Sequence, residues 1–467
     1  MKTPQVTVPN PLGTAPIGRL IFKFAVPSII GWLVSAAYNI IDQIYIGQGV
    51  GMLGNAATNV AFPLTTTATA LALLLGVGSA SNFNLEQGRG NSIRAARIAG
   101  TGITLMAISG TVLAVLVIAF LRPLMTAFGA TPTVLPLALT YTGITSVGMP
   151  LVIFTTACSQ LVRADGSPTY SMYCLASGAV LNMILDPVFI FWLDMGIAGA
   201  AWATVISQTL SAVMVILYLP RFKTIRLTRR CFRPSRRCVR AIASLGAAAS
   251  FNQIAMTIVQ ITMNNTLTGY GAMSAYGSDI PLAVVGVISK VNVVYMAFTL
   301  GIAQGCQPIA GFNYGAHRYE RVKRTYLTAA RAVTAVSVLA FLCFQIFPRQ
   351  IISVFGDGSE QYFHFAERYF RIFMLMTFAN GIQPLTSNFF TSIGKAKMGI
   401  LLSMTRQILF LLPLIIMLPR YLGIDGVMFA GPIADTAAVT LALFLITREF
   451  RQLNRKTREE NPSVSVS

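Results

Sequence analysis

Twelve times along this chain a run of about 20 or more mostly apolar residues recurs, each long enough to cross roughly 30 Å of hydrocarbon as a helix. The runs fall near 20–45, 57–84, 95–120, 133–158, 168–192, 197–219, 241–267, 281–310, 326–347, 370–391, 398–419 and 426–447. Inside lipid only helices and closed barrels satisfy every backbone polar group. The short alternating strands of a barrel are missing, so the spans are read as helices. With 54% hydrophobic and 11% charged residues, the chain has too little polar surface for a soluble fold. The first 16 residues are polar and proline-containing, and the first run is too long for a cleaved signal, so it is expected to stay in the membrane.

Charge sets the expected orientation. With the N-terminus inside, cytoplasmic segments hold 27 of the 35 Lys and Arg residues, nine of them between Arg221 and Arg240. The outer loops hold five: Arg122, Arg349, Arg368, Arg371 and Arg420. That bias predicts both termini in the cytoplasm and accounts for the formal charge of +20 without nucleic acid. The stretch "RFKTIRLTRRCFRPSRRCVR" is read first as a topological signal and second as an anionic-lipid patch. Six cysteines without CxxC spacing and two histidines, His317 and His364, indicate neither disulfides nor a metal site, and leave a membrane metalloenzyme without ligands.

The chain also repeats itself. At an offset of 227 residues Gly78 meets Gly305, Gly88 meets Gly315, Arg94 and Arg97 meet Arg321 and Arg324, Arg122 meets Arg349, and "FGA" at 128 meets "FGD" at 355. Two six-helix lobes are predicted, residues 1–220 and 241–447, joined by a basic linker at 221–240 and followed by a tail at 448–467. An even number of spans per repeat stands both copies the same way up, the arrangement of transporters that open a central cleft to alternate sides.

Asp186 lies in the apolar stretch "VLNMILDPVFIFWLDMG". At about 1.5 Å per residue it sits roughly 27 Å up its span, at the depth of Thr204, about 10 Å below the outer face, and of Asp42. Asn182 and Asp186 share a helix face, as do Tyr38 and Asp42, with Asn39 one turn before Asp42. A carboxylate there is costly to ionise unless water or a cation reaches it, so its loading would act as a switch. The plainer alternative is that Asp186 pins a helix kinked at Pro187 and that Asp42 ends its span in the headgroups.

In the second half, Lys290 and Arg406 are expected to be buried cations that either pair with Asp435 and carbonyl groups or line a cleft. Asn264 and Asn265, roughly where the repeat aligns with Asp42, are candidates for neutral contacts to a ligand. Met256, Met263, Met296, Met374, Met376, Tyr295 and Phe298 are candidates for an adaptable apolar lining.

The stretches "KFAVPSIIGWLVSAAYNIIDQIYIG", "QGRGNSIRAAR" with its echo "NYGAHRYERVKR", "LVRADGSP" and "GIDGVMFAGPIAD" are similar to those of the multidrug and toxic compound extrusion (MATE) transporters, over roughly residues 18–450. The resemblance implies an efflux antiporter of the bacterial inner membrane, exporting amphiphilic, often cationic small molecules in exchange for H+ or Na+. No cofactor, nucleic acid or obligate protein partner is implied. In the DinF-like branch, which this chain most resembles, the cation site corresponds to Tyr38, Asp42, Asn182, Asp186 and Thr204. The NorM-like sodium site, built from acids in spans seven and ten, has no counterpart: no acid lies between Met195 and Ser278 or between Ile372 and Thr391. A lipid-linked oligosaccharide flippase of the same superfamily is the alternative, with a membrane-embedded enzyme a distant third.

Overall fold

A computed structural model describes residues 10–460 apart from 275, 278 and 356–358, so Gly356 and Asp357 of the "FGD" match lie outside the described residues. Among those described there is no strand, and eleven helices are long and apolar enough to span a membrane. The first nine predicted runs form α1 (Ile17–Gly49), α2 (Met52–Gly88), α3 (Ser92–Ala119), α4 (Leu135–Ala164), α5 (Pro168–Pro187), α6 (Gly196–Tyr218), α7 (Arg236–Ala272), α8 (Asp279–Gly315) and α9 (Tyr319–Ile346). Prolines inside α1, α2, α4 and α8 are absorbed without ending the helix. Neighbouring helices in such bundles re-satisfy the freed backbone groups.

The tenth run departs from expectation. It is broken into α10 (Glu360–Phe373), α11 (Thr377–Asn380) and α12 (Ile382–Ser392), none long enough to cross a bilayer alone. The first piece is amphipathic: Phe363, Phe365, Tyr369 and Phe370 are buried, while the Arg368 side chain reaches out to Asp425 at 2.7 Å. The eleventh run is continuous but carries a π-helical stretch, Thr405–Leu411, between α13 (Ala396–Met404) and α14 (Leu412–Met417). The last described helix is α15 (Ile424–Glu460).

The two halves touch through glycines near the Lys/Arg-rich ends of their helices. A Cβ on Gly78 of α2 would lie 2.0 Å from the carbonyl oxygen of Ile242 in α7, and one on Gly246 of α7 only 1.7 Å from that of Leu74. The repeat partners behave reciprocally. A Cβ on Gly88 would meet Phe312 O at 2.0 Å, and one on Gly315 would meet Leu85 O at 2.1 Å. No side chain fits at such distances, so these four positions let α2 pack backbone to backbone against α7 and α8. Gly305, the repeat mate of Gly78, sits in the same way against Ala25 of α1.

The basic linker is a pinned strap rather than a loose tether. The Asp165 carboxylate, in the turn between α4 and α5, accepts from the Tyr218 hydroxyl at 2.8 Å, the Lys223 backbone N–H at 2.7 Å, the Thr224 backbone N–H at 3.0 Å and the Thr224 hydroxyl at 2.5 Å. Burial pushes this carboxyl above the usual range against the pull of those donors. Further along, Thr104 of α3 donates to Phe232 O at 2.8 Å.

Candidate functional site

Residues distant in sequence converge in the first half. α1 and α5 pack side by side, which brings Asp42 and Asp186 within hydrogen-bonding reach of each other. Asp186 is fully buried, Asp42 is 6% exposed and Asn182 1%. With its amide turned to suit its neighbours, Asn182 donates to Asp186 Oδ2 at 2.8 Å and its carbonyl oxygen accepts from the Thr204 backbone N–H at 3.2 Å. The Thr204 hydroxyl donates to Ala200 O at 3.0 Å, and the Tyr38 side chain lies beside it. Gln43 reaches Asp42 Oδ2 only at 3.5 Å, and Asp42 Oδ1 has no protein donor.

Pro187 marks the end of regular α5, and the chain continues through a π-helical turn, Val188–Trp192. Asp186 sits on the last regular turn, with its side chain aimed at α1 rather than at its own backbone. The kink and the carboxyl cluster therefore coexist, and neither replaces the other.

No basic side chain of a described residue forms an ion pair with either acid. Two carboxylates in contact repel strongly at low dielectric, so the pair is stable only with a proton or a cation between them. The two carboxyls, with the Tyr38 hydroxyl beside them, can hold either occupant. Sequence reasoning missed Tyr141 of α4, which stands close to Tyr38 and to both acids. Tyrosines are common in apolar spans, and nothing but the fold turns this one toward the cluster.

From this cluster a cavity of about 360 Å³ runs toward the basic ends of the helices. Tyr38, Asn39, Asn182 and Thr204 line its start. It then follows α5 from Asn182 back to Pro168, about 21 Å at helical rise, and ends at Gln160, Arg163 and Gln304. Thr155, Ser207 and Gln208 on its wall each keep a buried oxygen without a protein partner. Arg163, counted in the sequence with the topological charges, is only 6% exposed and faces this cavity. The polar pair Gln160 and Gln304 in apolar spans was the available signal for it.

The second-half candidates lie elsewhere. Lys290 is exposed, contrary to expectation, because its position on α8 turns away from the core. Arg406, on the π-helical stretch, binds Asp435 of α15 at 2.5 Å, an interhelical tie. Asn264 accepts from Gln260 on its own helix at 3.0 Å, and Asn265 is exposed. Of the expected apolar lining, Met263, Tyr295 and Met374 are buried within the second-half core. None of these residues borders the cavity, whose only wall residue from the second half among the described residues is Gln304.

One family model, MatE, matches the chain twice, over residues 27–188 and 248–417. The chain belongs to the MatE family. MatE proteins are membrane transporters rather than enzymes, and this chain is accordingly a multi-pass membrane transporter. The multidrug export protein MepA of Staphylococcus haemolyticus is 23% identical over 453 residues, covering 96% of this chain and 97% of its own. An FAD transporter of Shewanella oneidensis is 25% identical over 439 residues, covering 93% and 95%. A solved outward-facing multidrug resistance MATE family transporter of the MOP superfamily has the same fold, with a TM-score of 0.89 at 23% identity over 95% of this chain and 98% of that one.

Proposed function

We propose that this MatE transporter is a multidrug efflux antiporter that exports amphiphilic small molecules in exchange for H+, or alternatively Na+, by alternating access. The observation that carries the reading is the contact between Asp42 and Asp186, two buried carboxyls that no cationic side chain among the described residues neutralises, beside the start of the cavity. A site of that kind must exchange protons or cations, because leaving both acids charged and bare costs several kcal/mol per ion. Tyr38, Asn182 and Thr204 hold the two acids in place, in the manner expected for the DinF-like branch. Export of drugs by MepA supports the substrate class.

Loading from outside and unloading inside biases which face of the cleft is closed, the Gly78–Ile242 and Gly88–Phe312 contacts sealing the basic face until the halves part there, and this differential affinity is all that coupling requires. The excess of Lys and Arg at one face favours placing both termini in the cytoplasm, in a bacterial inner membrane.

The test is uptake of a fluorescent cationic dye such as ethidium into proteoliposomes under separately imposed pH and Na+ gradients. Accumulation driven by a pH gradient alone is expected. Accumulation that needs Na+ reassigns the ion, and accumulation under neither gradient sinks the antiporter reading. A lipid flippase would ignore the dye and move labelled lipid-linked sugars.

A further inference from the structure

Arg163 is a buried cation without a counter-ion. Its Nη1 donates to two neutral amide oxygens, Gln160 Oε1 at 3.2 Å on the same helix and Gln304 Oε1 at 2.5 Å on α8 in the other half. Nε and Nη2 have no protein acceptor among the described residues, and the guanidinium borders the cavity. The neighbouring acids are committed elsewhere: Glu86 to Arg89 and Arg94, Asp165 to Tyr218, Lys223 and Thr224. An Arg fork whose Nε–H and Nη2–H remain free is the geometry that takes a carboxylate or phosphate bidentately, and burying it uncompensated is costly.

We propose that Arg163, flanked by Gln160 and Gln304, is a receptor for an anionic group, carboxylate or phosphate, of an amphiphile bound in the cavity. This deepens the efflux reading and rests on it, since it assigns a charge pattern to the transported compound: an anionic group at the basic end and an apolar body along α5. In the present conformation Gln304 holds part of the guanidinium. When the halves part at that face Gln304 leaves with α8, and the freed fork is what an anion entering from that side meets.

The test uses purified full-length protein in a neutral maltoside detergent and two dyes that differ at one group: rhodamine 110, with a free carboxylate, and rhodamine 123, its methyl ester. Fluorescence polarisation is expected to give roughly tenfold tighter binding of the carboxylate dye, the scale of one charge-assisted bidentate contact. Arg163→Gln should erase that preference and Arg163→Lys restore part of it. Equal affinity of the two dyes for the wild type, binding of neither, or an R163Q protein that weakens both alike overturns the proposal. Should R163Q fail to fold, the wild-type comparison stands with Gln304→Ala, which removes the competing acceptor and should tighten the carboxylate dye alone; no change in its affinity would count against the site. Nanodiscs of phosphatidylcholine with and without phosphatidylglycerol separate the sources of the anion. Competition by the anionic lipid supports a headgroup occupant at the receptor, and indifference supports the transported compound. Because binding is read without any gradient, a failure of ion coupling at Asp186 leaves this outcome untouched.

Discussion

Asp186 in the first half and Asp435 in the second are both carboxylates buried in membrane helices, and the protein treats them in opposite ways. Asp435 is met by Arg406 at 2.5 Å and becomes one half of a fixed tie between the π-helical stretch and α15. Asp186 is met by another acid, Asp42, and by the amide of Asn182. A carboxylate with a permanent protein counter-ion has no reason to exchange its partner, whereas one facing a second carboxyl must borrow a proton or cation from outside. The contrast sets an acid pair without a counter-ion among the described residues in one half against a fixed ion pair in the other.

The sharpest way to break that contrast is Asp186→Asn. Gradient-driven dye accumulation should fall to that of empty liposomes, while dye affinity on the purified protein stays within about a factor of three, the low end of what one hydrogen bond is worth. Undiminished uphill transport would remove the distinction between the halves.

The second largest effect is expected at Arg406. Arg406→Gln leaves Asp435 buried and uncompensated, which should cost about 3–5 kcal/mol of stability, read as a lower melting temperature in detergent. Replacing the pair together, Arg406→Met with Asp435→Leu, should recover most of that loss and retain transport, because buried ion pairs are often matched by apolar packing. A double variant that folds but no longer couples would show that the second half also carries exchangeable charge.

How much of this was legible in the chain follows from what a linear pattern records. Span length, the i and i+4 spacing of Asn182 and Asp186, and the shared depth of Asp42 and Thr204 are periodicities, so the acid cluster could be assembled on paper. The break in the tenth segment has a signal that its apolar average hides: the turn dipeptide Asn380–Gly381 and then Pro384 lie where the chain is interrupted between Phe373 and Ile382, while the aromatic face of α10 packs into the second-half core. Asn264 and Asn265 were matched to Asp42 only loosely, since the 227-residue offset puts Gly269 opposite it. Lys290 and Arg163 exchanged roles for the same reason. Hydropathy gives depth along the membrane normal but not azimuth around it, so the intramembrane lysine is exposed while the arginine near the helix end borders the cavity.

The finest comparison sets one hydroxyl in each half against the other. Thr204 stands beside Tyr38 and Asn182 at the acid pair, and Ser337 bonds the Tyr295 hydroxyl at 2.9 Å in the second-half core. Each hydroxyl contributes about 0.5–1.5 kcal/mol net, so Thr204→Val and Ser337→Ala should lower the melting temperature to a similar small extent. Only Thr204→Val should alter the driving force. With one wall of the cluster made apolar, the driving-ion concentration at half-maximal transport should shift by roughly 2- to 12-fold, the same free energy expressed as an equilibrium constant. A matching shift in the Ser337→Ala protein would mean that the two cores are energetically linked, and that the ion site extends beyond the residues gathered around Asp186.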